Sequence, residues 1–209
     1  MSYSNNTVNV LKARNNLLDI LEVRGFDVKD YKGFSVNDIH TLIVNNTLDL
    51  FIENPESKKK AYIKFYNLEK TIRPSNIYEL VEQIFNVENI LQKTDDLIII
   101  VKDEPNESLI KTLQQIYEHD GVFISLIFID RLQFNILNHN LVPKMRVLNS
   151  DEKQLVKEKF NVVQDMNFPT VSRFDPPSIV LGLRPGELLE ITRKSNTSIN
   201  SKFYRICSH

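Results

Sequence analysis

Glycine and cysteine are scarce here: the 209 residues include five glycines, one cysteine and no tryptophan. A lone Cys207 rules out an intramolecular disulfide framework and fits a reducing compartment. With so few glycines, neither common phosphate-cradling loop occurs, and no Gly-x-Ser-x-Gly nucleophile turn is present. The histidines His40, His119, His139 and His209 stand far apart, with no cysteine partners at ligand spacing, so no zinc site is expected. Apolar runs fall far short of the roughly 20 residues that cross a bilayer, and the polar start Met1–Thr7 lacks the profile of a signal peptide. These absences predict an intracellular, unanchored protein with no metal, no cofactor and no small-molecule substrate.

What is present describes an ordinary folded chain, 42% hydrophobic and 25% charged, long enough for one domain or two small ones. The net charge of −1 hides an asymmetry: residues 1–138 carry 15 Lys+Arg against 20 Asp+Glu, and residues 139–209 carry 11 against 7. A domain that grips nucleic acid alone needs a positive surplus, because phosphate neutralisation supplies most non-specific affinity. The first part lacks that surplus. The second is modestly basic and suited to an acidic protein surface.

Periodicity predicts a helix over about Val8–Arg24, stopped at Gly25, and a second after the cap Ser35, ending at Asn45-Asn46. Two β-rich runs, Leu48–Ile52 and Ala61–Tyr66, flank the hairpin loop Glu53–Lys60. A helix over Asn76–Gln92 precedes the all-apolar strand Leu97–Val101; a helix capped by Asn106 or Ser108 runs through His119 to Gly121, before the strand Val122–Ile129. Leu132–Leu137 reads as an edge strand. The first 138 residues are therefore an α/β domain, a mixed sheet flanked by helices. Residues 139–209 read as a small α+β domain. It has an extended Leu141-Val142-Pro143, a helix over Asp151–Phe160 capped by Asn149 or Ser150, and a short helix from Pro177 to Leu181 stopped by Gly182. Two strands follow, Glu187–Arg193 and Phe203–Cys207, joined by a polar loop Lys194–Lys202.

Metal-dependent nucleases place an Asp on one strand and an acidic-x-Lys triplet on the next, so that two carboxylates hold Mg²⁺. Asp49 and Lys64 fit that pattern, but Tyr62 stands where the second carboxylate belongs. Asp95-Asp96 reads as a chain turn, and Cys207 as a small buried residue rather than a nucleophile. The run Lys58-Lys59-Lys60 reads as a solvated loop or a DNA-proximal one. Pro74 and Pro105, in loops before two helices, either punctuate those helices or bring backbone near nucleic acid.

Several motifs of the last third occur together: Leu141-Val-Pro-Lys144, Ser150-Asp-Glu-Lys153, Arg173-Phe-Asp-Pro176, Leu181-Gly-Leu-Arg-Pro-Gly186, Arg193-Lys-Ser195, Thr197 and Tyr204-Arg205. In combination and spacing they resemble the fifth subunit shared by eukaryotic DNA-dependent RNA polymerases, together with its shorter archaeal counterpart. The first 138 residues are similar in plan and length to the jaw domain that eukaryotic members carry and archaeal members lack. That jaw is a fold reminiscent of restriction endonucleases without their catalytic carboxylates.

The resemblance implies a non-catalytic polymerase subunit. Its residues 139–209 would anchor to the largest subunit and join other polymerase subunits, and its jaw would lie near downstream duplex DNA, held weakly and without sequence preference. It also implies partner contacts at Arg193, Ser195, Thr197, Tyr204 and Arg205, and DNA proximity for Lys58, Lys59, Lys60, Pro74 and Pro105. Met145 departs from the histidine usual in the family, and Ile199, Asn200 and Ser201 from a glycine, a basic and an aromatic residue. Pro177 and Pro185 resemble variants in large DNA viruses, and 22 asparagines fit an AT-rich genome. A viral member is therefore expected, in the virion or a cytoplasmic viral factory; a cellular one would work in the nucleus. The alternative is a stand-alone nuclease-like DNA-processing protein with a borrowed anchoring domain.

Overall fold

A computed structural model describes residues 5–68, 70–195 and 198–208 of the chain. The chain divides into two compact units, Met1–Asn135 and Ile136–His209. Each is a mixed α/β body around a four-stranded sheet.

The first unit opens with α1, Asn5–Val23, which buries Val10, Ala13, Leu17, Leu18 and Leu21. Gly25 ends it in the left-handed region at φ 86°. Helix α2, Val36–Val44, starts at Ser35, whose hydroxyl accepts from the Asp38 amide while the Asp38 carboxylate accepts from the Ser35 amide. Strands β1, Leu50–Glu53, and β2, Lys60–Phe65, form an antiparallel hairpin. Asn54 shapes its turn, its side-chain oxygen accepting from the amides of Glu56 and Ser57 at 2.9 and 3.0 Å.

Strands β3, Asp96–Val101, and β4, Phe123–Phe128, continue the sheet in parallel, giving the order β1-β2-β3-β4. Every residue of β3 is buried, as a strand covered on both faces requires. Each of its isoleucines contributes about 2 kcal/mol by leaving water. The crossovers are helical: α3, Pro74–Val81, and α4, Glu107–Asp120, the latter capped by Asn106 and closed at Gly121 with φ 72°.

Two expectations for this region need correction. The helix expected over Asn76–Gln92 forms from Pro74, but at Glu82 it passes from α3 into a π-helical segment and ends at Val87, short of Gln92; Ile84 of that segment is buried. The edge strand Leu132–Leu137 does not form. The chain leaves β4 through a 3₁₀ turn, Ile129–Leu132, held by α1: Asn16 Nδ2 donates to the Leu132 carbonyl at 2.7 Å, and Gln133 Nε2 to that of Asn9 at 3.1 Å.

In the second unit the sheet order is β5-β7-β8-β6. Strand β5 is Lys144–Val147, β6 Thr170–Ser172, β7 Leu188–Ser195 and β8 Ser198–Ser208. Helix α5, Ser150–Lys159, and the short α6, Pro176–Leu181, cover opposite faces. Leu148, Val156, Phe168, Leu188 and Ile206 pack together on the α5 side; Leu181, Leu183, Leu189, Ile191 and Cys207 pack on the α6 side.

The expected polar loop Lys194–Lys202 is largely strand: β7 reaches Ser195 and β8 begins at Ser198. Its side chains are mostly exposed, so backbone pairing holds it without an apolar signal. Leu141-Val142 lies in a turn closed by the Val142 amide donating to the His139 carbonyl at 2.9 Å, where extended chain is expected. Among the described residues, no helix is long and apolar enough to cross a membrane.

Candidate functional site

The β7–β8 ribbon carries most of the residues singled out for partner contact, and its register decides which of them can act together. Glu190 pairs with Tyr204, Ile191 with Phe203, and Leu189 with Arg205. Side chains alternate along a strand, so Tyr204 faces α5 while Phe203 and Arg205 face the α6 side with Arg193. The expected partner set is thus split between the two faces of the sheet.

Glu190 is the buried charge of this ribbon, 6% exposed within an otherwise apolar strand segment. Opposite it on β5 stands Arg146, whose Nε donates to Oε1 at 2.9 Å; Tyr204 Oη donates to Oε2 at 3.1 Å, and Lys202 Nζ lies 3.1 Å from the same oxygen. Burial works against the carboxylate's charge, but these three donors outweigh it and hold the acid below its usual range. Arg146 also reaches Glu152 Oε1 at 2.6 Å, and Glu152 closes the capping box of α5 with Asn149.

The same helix ties down the glycine-containing turn. Lys153 Nζ donates to the Gly186 carbonyl at 2.9 Å and to Asp165, which Lys157 also holds at 2.9 Å. Gly186 donates its amide to the Cys207 carbonyl at 3.0 Å, and the Cys207 amide donates to the Glu187 carbonyl at 2.9 Å. The motifs around Lys153, Gly186 and Tyr204 therefore meet at one sheet end and brace it. Burial pushes the Cys207 thiol up to about 12, which leaves it unreactive.

The other expected contacts among the described residues are exposed. The Arg193 guanidinium lies 3.9 Å over the Phe203 ring, Arg205 Nη1 donates to the Thr170 carbonyl at 2.9 Å, and Ser195 ends β7 opposite Ser198. Thr197 and His209 lie outside the described residues. Arg193 and Lys194 line an open groove with Asn140, Leu141, Lys144 and Asn200. Sequence reading assigned no role to Arg146 or Glu190, and held Glu152 only as part of the motif Ser150-Asp-Glu-Lys153. The usable signal is a glutamate inside Leu188-Leu-Glu-Ile191, which must find cations once buried.

In the first unit, Asp49 is fully engaged. It accepts from Lys64 Nζ at 2.5 Å, Tyr62 Oη at 3.1 Å and the Phe65 amide at 3.0 Å. Burial, and then the Asp49 charge, push the Tyr62 phenol up to about 12, so it stays a protonated donor. No group of three or more His, Cys, Asp or Glu suited to a metal ion occurs among the described residues.

The three lysines of the hairpin differ. Lys58, at φ 59°, is well exposed; Lys59 Nζ lies 3.0 Å from the buried Asp96, which also pairs with Arg24; Lys60 Nζ stands 5.7 Å over the Phe51 ring. Asp95 accepts from the amides of Lys60 and Gln92 at 2.9 and 2.8 Å, the turn role expected of it. Pro74 is the first residue of α3, and Pro105 precedes the cap of α4.

Comparison with known proteins bears on the second unit. The family described as RNA polymerase Rpb5, C-terminal domain, matches residues 134–207. The protein named DNA-directed RNA polymerase subunit Rpo5 from Thermococcus kodakarensis is 36% identical over 74 residues, 35% of this chain and 89% of that protein. Its counterpart from Pyrococcus abyssi is 38% identical over the same shares, and that from Archaeoglobus fulgidus is 33% identical over 36% of this chain and 97% of its own length. Nothing in these relatives or in the geometry of Asp49 lends the nuclease alternative support. Because the chain spans nearly all of each relative at more than 30% identity, it belongs to the Rpb5/Rpo5 family of DNA-directed RNA polymerase subunits.

Proposed function

We propose that the chain is a non-catalytic subunit of a multi-subunit DNA-directed RNA polymerase, anchored to the largest subunit through residues 139–209. The observation that carries this reading is the correspondence of the second unit to nearly complete Rpo5 subunits. The bracing of β7–β8 by Glu190, Arg146 and Lys153 supports it. A rigid ribbon presents Arg193 and Arg205 at little entropic cost on binding.

On the same reading the first unit is a jaw lying near downstream duplex DNA, a restriction-endonuclease-like fold that has lost its metal chemistry. Asp49 saturated by Tyr62, Lys64 and Phe65 supports this. Of the DNA-proximal candidates Lys58, Lys59, Lys60, Pro74 and Pro105, Lys58 is the cation best placed to meet phosphate: its side chain is exposed and its approach to Glu53 is a long 3.9 Å, whereas Lys59 neutralises the buried Asp96 at 3.0 Å. A weakly held guide suits an enzyme that slides. The polymerase is proposed to be that of a large DNA virus, working in the virion or a cytoplasmic factory; a cellular enzyme would place it in the nucleus.

The test is purification through a tag on the full chain, with quantification of every associated protein. Large polymerase subunits should be recovered in equimolar amount. Recovery of none, or a trace of this chain per polymerase, would sink the reading.

A further inference from the structure

Strand β8 runs from Ser198 to Ser208, whereas its outer neighbour β6 spans only Thr170–Ser172 and pairs with Ile206–Ser208. Pro169 explains the early end. Its carbonyl accepts from the Ile206 amide at 2.9 Å, but having no N–H it cannot extend the ladder toward Tyr204. Upstream of it the chain turns into a 3₁₀ segment, Asp165–Asn167. Among the described residues, no strand lies along the outer side of β8 before Ile206.

Hydrogen-bonding direction alternates along a strand. The Cys207 amide donates inward to the Glu187 carbonyl and the Ile206 amide outward to that of Pro169, so the amides of Tyr204 and Lys202 point outward as well. Open edges of this kind recruit strands. From Ile191 to the end, the chain holds Arg193, Lys194, Lys202 and Arg205 and no acidic residue. Ile199 is 85% exposed and Phe203 37%, and Phe160, 52% exposed, stands 5.6 Å from the Tyr204 ring. On β8 itself the cations are Lys202, whose Nζ also meets Glu190, and Arg205, so the edge is modestly cationic with apolar footholds on both faces. Cations disfavour pairing with a second copy and favour an acidic strand.

We propose that the outer edge of β8, centred on Lys202, takes an extended acidic segment of a polymerase partner as an added fifth strand of this sheet. The inference rests on the subunit reading and names the element that makes the contact. Backbone bonds at Lys202 and Tyr204 give affinity; Arg205, on β8 itself, selects acidic side chains, and Phe203 and Phe160 receive apolar ones on alternate faces.

The experiment uses the tagged full chain. Lys202→Pro removes one outward amide while leaving the pairing with β7 intact; Lys202→Arg retains both that amide and the positive charge that meets Glu190. The proline variant should retain at least tenfold less polymerase than wild type, and the arginine variant should stay within about twofold. Independently of any variant, the Lys202 and Tyr204 amides of the wild-type chain should exchange hydrogen more slowly in the assembled enzyme than in the free chain. A photo-crosslinker at position 199 should capture an acidic segment. Full retention by Lys202→Pro, together with unprotected amides, overturns the proposal and leaves the subunit reading intact, because wild type still recovers polymerase. Recovery of no polymerase by wild type ends both. A dimer in light scattering that Lys202→Pro abolishes assigns the edge to a second copy and also overturns it. If Lys202→Pro melts early by circular dichroism, the exchange measurement decides alone.

Discussion

Tyr62 donates its hydroxyl to Asp49 at 3.1 Å from the strand position where a metal-dependent nuclease would present a second carboxylate. The phenol replaces a metal-binding charge with a hydrogen bond and keeps its proton through the neutral range. Tyr62→Phe should cost about 1 kcal/mol, the worth of one hydrogen bond, without creating any response to Mg²⁺. Tyr62→Glu should melt lower still in EDTA and regain part of the loss with millimolar Mg²⁺, since two facing carboxylates repel until a cation joins them. Thermal melts with and without the ion decide; a wild-type melt raised by Mg²⁺ would contradict the assignment.

Asp96 is 1% exposed and paired with Arg24 and Lys59. Asp96→Asn leaves both cations without their counterion and should cost about 3 kcal/mol in a denaturant titration. Lys59→Ala should destabilise measurably, whereas Lys58→Ala, at an exposed position, should stay within about 0.5 kcal/mol. Equal effects of the two lysines would argue against the pairing.

In the second unit, acid should be destabilising. Glu152, held by Arg146, Asp165, held by Lys153 and Lys157, and Glu190, whose donors outweigh its burial, all titrate below their ordinary values in the fold. A depressed folded pKa contributes stability that is present above the unfolded value and lost as pH falls through the folded one. The melting temperature should therefore hold above about pH 5 and decline below the ordinary carboxylate range. Glu190→Gln should lower it at neutral pH and flatten the acid limb, read from melts between pH 7 and 3. An unchanged limb would show that Glu190 does not contribute.

Gly25 and Gly121 both occupy the left-handed region, at φ 86° and 72°. A Cβ on Gly121 would meet only Lys93 Cδ at 3.9 Å, an ordinary contact, so Gly121→Ala should cost about 1 kcal/mol of backbone strain. On Gly25 it would meet Asn54 Nδ2 at 2.9 Å, and Asn54 shapes the β1–β2 turn. Gly25→Ala should cost more than Gly121→Ala; the reverse order in chemical denaturation would contradict the close approach.

Local chemistry accounts for what was legible in advance. The Ser35, Asn106 and Asn149 caps and the glycine stops act within a few residues, and the all-apolar runs of β3 and β4 need burial on both faces whatever covers them. The family resemblance likewise rested on residues that a sheet end requires, such as Lys153, Gly186 and Tyr204. Strands β5 and β6 escaped notice because they are four and three residues long and are stabilised by neighbours distant in sequence.

By itself the sequence determined the helices, the buried strands and the family, since these depend on composition within a short window and on motifs in order. Only tertiary structure decided that Glu190 meets Arg146, that Leu132 turns toward α1 instead of extending a sheet, and that Arg193 and Tyr204 point to opposite faces. Each of those follows from register and long-range hydrogen bonding, which place residues side by side regardless of their separation along the chain.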